Sequence, residues 1–429
     1  MFGFANFLLL ALFAAVVFDL IFALARGGGL RGALHGLWNT PHLLFGQQLA
    51  EWRLQLGRIL FAAGLAAYEI SVVFCNSMAR QNWAWVQGVM SPVLEWLAFL
   101  CFGAKILFGT RYTWRELLAG GALYFIARWV YFNSQNIWWI GIVVAVLAAK
   151  DVSLRRPLQV YFASGCAAMA VVLALHFAGI VAPDLTSERM GALRGTYGYG
   201  HPNTFGGLVF GLVLAYALLR AQKVRWVDCL LVFAVGVFLL VGPASRSAAL
   251  CTLALAVGLV FCRLRAGHSV PRWWPGTCAG MVGLTAAVSY LLPLLVIKVG
   301  PWNNDIGPAW LAKLDSLLTC RISLTWMAYR LLDVKIAGQV FDWPTVDNSF
   351  AFALFQFGPV VAALLGILFA AALWGHAKQG RRVEVCCLFA MLAYAYMEVQ
   401  PFHLTTNPTA LLLCGAVFAQ TSARWQKIE

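Results

Sequence analysis

The stretch RGTYGYGHPNTFGG, residues 194 to 207, places an arginine, a histidine and two tyrosines among glycines just ahead of an apolar run. Glycines at 195, 198 and 200 let the backbone take positive φ and approach a ligand closely. Pro202 stops a helix from continuing backward, and Asn203 reads as the N-cap of a helix starting at Thr204. A helix N-terminus with free N–H groups beside Arg194 is an anion site in outline. The pattern recurs. In VGPASRSA, residues 241 to 248, Ser245 is placed to cap a helix beside Arg246, and in VDNSF, residues 346 to 350, Asp347, Asn348 and Ser349 sit at the tip of another. Each arrangement alone fits an ordinary cap; the recurrence points to chemistry.

A third arginine lies in AWLAKLDSLLTCRISL, residues 309 to 324. This segment predicts one amphipathic helix with Trp310, Leu311, Leu314, Leu317, Leu318 and Ile322 on a stripe. Arg321, seven residues after Leu314, falls inside that stripe, whereas Lys313 and Arg330 point elsewhere. Such an arginine either snorkels to the headgroups or turns inward toward an anion. His201 in the glycine-rich loop and His403 in EVQPFHLTTN are the histidines expected on this face. His35, His42, His268 and His376 fall in the opposite loops, and His176 in a span.

The elements that must hold these residues are membrane helices. Of 429 residues 62% are hydrophobic and only 11% charged, and the mean hydropathy is +0.77, whereas soluble domains are about a quarter charged. Hydrocarbon forces backbone pairing within each segment, so the expected fold is an all-α polytopic membrane protein. Helices are expected near 2 to 25, 59 to 78, 88 to 108, 117 to 133, 136 to 150, 158 to 181, 203 to 220, 226 to 243, 246 to 264, 277 to 298, 348 to 374, 383 to 398 and 404 to 420, thirteen in all. The first also admits a signal-peptide reading through Ala-Leu-Ala at 23 to 25, but no Lys or Arg precedes its apolar run. The chain reads as one integral membrane domain, 1 to 429, with a long extracytoplasmic loop at 299 to 347. It has no internal repeat or low-complexity tract.

The net charge of +14 does not point to nucleic acid, because the cations cluster in alternate loops. Arg26, Arg31, Arg53 and Arg58; Arg111 and Arg115; Lys150, Arg155 and Arg156; Arg220, Lys223 and Arg225; Arg263, Arg265 and Arg272; Lys378, Arg381 and Arg382; and Arg424 and Lys427 account for 20 of the 31. The positive-inside rule makes these loops cytoplasmic, the N-terminus external and the C-terminus internal. Arg194, Arg246 and Arg321 are then outward exceptions. The eleven cysteines lie almost all in apolar segments, Cys320 excepted, so no disulfide framework is expected. Asp19, Glu69, Glu95 and Arg128 fall within spans, where charge is costly unless paired or facing a cavity. With no HExxH, paired-cysteine spacing, Walker loop or dinucleotide fingerprint, neither metal nor cofactor is expected.

The ordered set RGTYGYGHPNTFGG, VGPASRSA, LTCRISLTWMAYRLLDVKIAGQ and VDNSFAFALFQFG resembles the oligosaccharide repeat-unit polymerases of bacterial surface polysaccharides, which group with the O-antigen ligases as GT-C-like membrane glycosyltransferases. The resemblance covers residues 185 to 375. GYGHPN and VDN favour the polymerase, since ligases more often show His-Asn where this chain has Asp347 and Asn348.

The resemblance implies a metal-independent, inverting transfer of glycan from undecaprenyl diphosphate to another lipid-linked unit. The reaction would run at the outer face of a bacterial cytoplasmic membrane, with a flippase and a chain-length regulator as partners besides the bilayer. Arg194, Arg246 and Arg321 would meet the leaving diphosphate, a role suited to planar guanidinium forks. His201, then Asp347, would serve as the base for the acceptor hydroxyl. Tyr197 and Tyr199 could stack on sugars, and Asn203, Ser245, Asn348 and His403 complete the expected binding residues. A ligase would share this donor. A flippase or transporter of the lipid-linked sugar would also want an outward cationic cavity, but should show duplicated halves with broken helices, which the sequence lacks.

Overall fold

The computed structural model describes residues 2–25, 29–44, 51–181, 187–189, 192–296 and 308–418. Arg26, Arg424, Lys427 and the first part of the long loop, 299–307, lie outside the described residues. Among the described residues the fold is helical apart from two short antiparallel strand pairs. Helix α1 (Phe2–Ala25) and α2 (Gly29–Asn39) precede α3 (Glu51–Cys75), and a one-turn α4 (Ala79–Asn82) and a π turn (Val86–Met90) lead into α5 (Ser91–Phe108). Then come α6 (Trp114–Ser134), α7 (Ile137–Ala148), α8 (Arg155–Phe177), α9 (Pro202–Leu219), α10 (Trp226–Val241), α11 (Arg246–Leu264) and α12 (Trp274–Leu291). Two helices, α13 (Ala309–Leu317) and α14 (Arg321–Leu331), lie in the described part of the long loop, followed by irregular chain to 348. The one-turn α15 (Ser349–Phe352), α16 (Pro359–Lys378), α17 (Arg382–Met397) and α18 (Cys414–Val417) follow. Strand β1 (His42–Leu43) pairs antiparallel with β2 (Arg111–Tyr112), and β3 (Ser187–Arg189) with β4 (Ala192–Arg194).

The described residues are mostly helical, and among them eight helices are long and apolar enough to cross a membrane. The termini have local causes. Thr113 and Glu116 close a capping box on α6, where each side chain pairs with the other's backbone N–H. Asn136 caps α7 through Trp138 N at 2.9 Å. The outward faces stay greasy: Phe13, Leu230, Val241 and Val257 are among many exposed apolar side chains, as expected of helices solvated by lipid rather than water. Small residues bring helices close. A Cβ on Gly57 of α3 would lie 2.9 Å from the Gly109 carbonyl oxygen at the end of α5.

Three expected elements differ from the sequence reading. The helix at 348 to 374 is interrupted after α15 by a π turn (Ala353–Phe357) and by Gly358, φ +86°, before Pro359 opens α16. Gly358 is required there, because a Cβ would stand 2.1 Å from the Ile336 carbonyl oxygen. The segment at 404 to 420 is a 3₁₀ turn (Pro408–Leu413) running into the short α18, since Pro408 lacks an N–H and Asn407 caps the turn through Ala410 N at 3.1 Å. The single amphipathic helix expected over 309 to 324 is two helices, split at Thr319 and Cys320, both with positive φ.

Successive long helices alternate in direction. The end of α3 meets the loop before α9, where Met78 N donates to Gly198 O at 2.8 Å. The start of α5 lies beside the same end of α3 through the Ser71–Ser91 contact at 3.0 Å. The end of α12 reaches the start of α15 through Asn348 and Ser289 at 3.1 Å. At the other end of the bundle, Arg382 at the start of α17 donates to His268 O after α11. The turns carrying Arg111, Lys150, Arg220, Arg263 and Arg382 therefore share one end, and those carrying Arg194, Arg246, Arg321 and Asp347 share the other.

Candidate functional site

Four separated pieces of chain meet around one carboxylate, Glu398, which follows the last turn of α17. Glu398 Oε1 accepts from Asn203 Nδ2 at 3.0 Å, Ser247 Oγ at 2.8 Å and Arg321 Nη2 at 2.5 Å. Its backbone oxygen accepts from Ser349 Oγ at 2.6 Å. Asn203 Oδ1 in turn accepts from Arg194 Nη2 at 2.8 Å and lies 3.5 Å from Ser245 Oγ. Arg194, Ser245, Ser247, Arg321, Ser349 and Glu398 are all buried. Burying these charges is tolerable because Arg321 is paired with Glu398 and Arg194 is hydrogen-bonded to Asn203 and the Ala244 carbonyl.

Arg321 is turned inward, but not along a continuous stripe. It opens α14 after the chain reverses at Thr319 and Cys320, and Asp315 of α13 accepts the Ile322 and Ser323 N–H groups at 2.8 and 3.1 Å. Its guanidinium is largely committed. Besides Glu398 it donates to Met397 O and to Leu318 O, the latter at 2.9 Å, and Asp347 Oδ2 stands 4.0 Å away. Arg194 likewise donates to Ala244 O at 3.2 Å. These two arginines tie the site together. Arg246 differs: it opens α11 with its side chain exposed and, among the described residues, makes no hydrogen bond or ion pair. Arg321 is offset by Glu398 and Asp347, whereas Arg246 stands at this end outside the network as an exposed cation.

Two caps depart from expectation. Helix α9 starts at Pro202, so His201 is its N-cap and its Nδ1 accepts from Asn203 N at 3.1 Å. Asn203 is thereby released to bridge Arg194 and Glu398. Proline at the first helical position costs nothing, because that N–H is unsatisfied in any helix. Ser245 precedes α11 but makes no capping bond; it packs against Gly206, where a Cβ would lie 2.3 Å from its Oγ. Asn348 does cap, accepting from Phe350 N and Ala351 N at 2.9 and 3.1 Å, which leaves its neighbour Asp347 only half-buried.

The remaining expected residues divide. His201 is exposed at this face. An imidazole that accepts at Nδ1 carries its proton on Nε2, so in this tautomer His201 offers a donor rather than a base. Tyr197, φ +52°, lays its ring on Phe205 at 5.0 Å and Phe238 at 5.8 Å. Tyr199 is fully buried against Phe205 and presents no face to a sugar. His403 packs on Trp138, ring centroids 4.0 Å apart, away from the Glu398 network, and burial pushes its pKa down to about 4. Gly207 and Gly211 of α9 admit the 400–406 loop: a Cβ at Gly211 would lie 2.5 Å from Thr405 O.

The residue that sequence reasoning missed is Glu398. A lone acid after an apolar run reads as a helix end among headgroups, and its partners lie 77, 151 and 195 residues away. Beneath the network, an apolar cavity of about 80 Å³ is lined by Tyr290, Ser349, Phe350, Phe369 and Phe402, with Ser349 common to both. Of the intramembrane charges, Asp19 meets His42 at 3.3 Å and Arg128 donates to Asn6 Oδ1 at 2.9 Å. Comparison with protein-family models, curated proteins and solved structures gives no match.

Proposed function

We propose that the chain is a polysaccharide polymerase that crosses the cytoplasmic membrane of a bacterium thirteen times, with its N-terminus and the Glu398 end outside. Its donor is an oligosaccharide repeat unit on undecaprenyl diphosphate and its acceptor a second lipid-linked unit. The observation that carries this reading is the convergence of Asn203, Ser247, Arg321 and Ser349 on Glu398, with Arg194 joined through Asn203, Asp347 half-buried beside Arg321 and Arg246 exposed. A buried polar network from five elements is costly to assemble and serves to fix whatever stands on it.

The chemistry follows from what stays accessible. Asp347 takes the proton from the acceptor hydroxyl, whose oxygen attacks the anomeric carbon as the bond to the diphosphate oxygen breaks. Charge developing on the leaving diphosphate is met by Arg246 and the N-terminal N–H groups of α11. Asp347 ranks ahead of His201 as base, because His201 spends its acceptor nitrogen on Asn203. Arg194 and Arg321 act through the network and hold α9, α11, α14 and α17 in register. The apolar cavity below Ser349 gives carrier carbon a place beside the diphosphate.

Deleting the gene and locating the lipid-linked intermediate tests the class of activity. Single repeat units on the outer leaflet support polymerisation. Units trapped on the cytoplasmic leaflet indicate a flippase, and full-length polymer not passed to its final acceptor indicates a ligase; either outcome overturns the reading.

A further inference from the structure

The basic end of the bundle holds a concavity that the transfer reaction does not use. A cavity of about 410 Å³ opens between the α9–α10, α11–α12 and α16–α17 turns, lined by Lys223, Arg263, Arg381 and Arg382 with one acid, Glu384. Basic turns are ordinary on a cytoplasmic face. Some cations on this face are matched, Arg220 with Asp228 at 3.1 Å, Arg111 with Asp151 at 3.8 Å and Lys150 with Glu116 at 3.3 Å, and others stand singly on exposed turns, as Arg156 and Arg272 do. Here the balance differs. Among the described residues, the side chains of Lys223, Arg263 and Arg381 make no hydrogen bond or ion pair, and Arg382 donates only to His268 O. Glu384 is buried in the floor, makes no ion pair among the described residues, and attracts Arg381 alone of the four cations.

Four cations from three turns facing one half-enclosed space repel one another unless an anion lies between them. Arginine forks match phosphate oxygens, and a cavity of this size has room for a phosphate or diphosphate group. Basic pockets between helices on this side are also where anionic headgroups bind. We propose that this cavity binds a phosphate-bearing anion, at the end of the molecule opposite the Glu398 network. The proposal stands whether or not the chain is a polymerase.

The purified full-length chain in phosphatidylcholine nanodiscs would be titrated with inorganic pyrophosphate by calorimetry. In parallel, native mass spectrometry would count cardiolipin retained after reconstitution with that lipid. Lys223→Gln/Arg263→Gln removes two exposed cations without touching packed side chains, and Arg111→Gln, on the same face, is the control. Saturable binding is expected in at least one arm, about tenfold or more weaker in the double variant and unchanged in the control. Pyrophosphate alone would identify a soluble phosphate ligand, and cardiolipin alone a headgroup. Absence of saturable binding in both arms, or equal binding by the double variant, would overturn the proposal.

Discussion

Removing Arg321 or Glu398 leaves the other charge buried without its closest counter-ion, whereas removing Arg246 leaves nothing unsatisfied. The two kinds of arginine should therefore separate in experiment. Arg321→Ala or Glu398→Ala should destabilise the purified protein by about 3 to 5 kcal/mol, read as a fall in Tm, and the double variant should lose less than the sum. Arg246→Ala should leave Tm unchanged and slow polymerisation by about ten- to a hundredfold, the worth of one charge-assisted contact. Arg246→Lys should recover part of that loss. A lowered Tm in Arg246→Ala at normal activity would reverse these roles. His403 gives a pH test. Its pKa falls from 6.5 to about 4 on folding, so the unfolded chain binds the extra proton. Stability from this group is complete above pH 6.5 and declines as pH falls from 6.5 toward 4. His403→Gln should flatten that part of the Tm profile, and an unchanged slope would contradict the assignment.

At the scale of elements, the breaks matter more than the helices. Asp315 holds two N–H groups of α14, so Asp315→Ala should cost about 1 to 2 kcal/mol as a lost cap and should release Arg321 from its register. Gly358→Ala should be worse, because a positive φ and the Ile336 carbonyl both exclude a side chain. Thermal unfolding of both variants checks this, and wild-type Tm in Gly358→Ala would refute the interruption before α16. Helix positions were legible in the sequence because a hydrocarbon solvent forces about 20 apolar residues to pair internally. The interruptions were not. Spacing carried Arg321 across Thr319 and Cys320 as if the helix were continuous, although those residues reverse the chain. Nor did Pro202 and Asn203 reveal that a histidine would cap α9 and free the asparagine. A cap choice turns on which neighbour reaches the N–H, and here tertiary demand for Asn203 by Arg194 and Glu398 decides it.

Over the whole molecule, alternation was the strongest signal, since the basic loops recur at every second turn and the structure brings the described ones to one end. Orientation is a separate claim. A cysteine at Gly200 should react with an impermeant thiol reagent in intact cells and one at Gly267 should not; the opposite pattern would invert the protein and move the Glu398 network to the cytoplasm. What spacing could not carry is the network itself, because a carboxylate whose partners are 77 to 195 residues distant leaves no local pattern. The most direct measurement is polymer synthesis by the purified chain supplied with only its undecaprenyl-diphosphate-linked repeat unit. A ladder of lengthening glycan on the lipid is predicted from the wild type, with little or none from Arg246→Ala and Asp347→Asn at matched folding. A wild-type reaction that yields no product beyond one repeat, or ladders equal in all three proteins, would contradict the account.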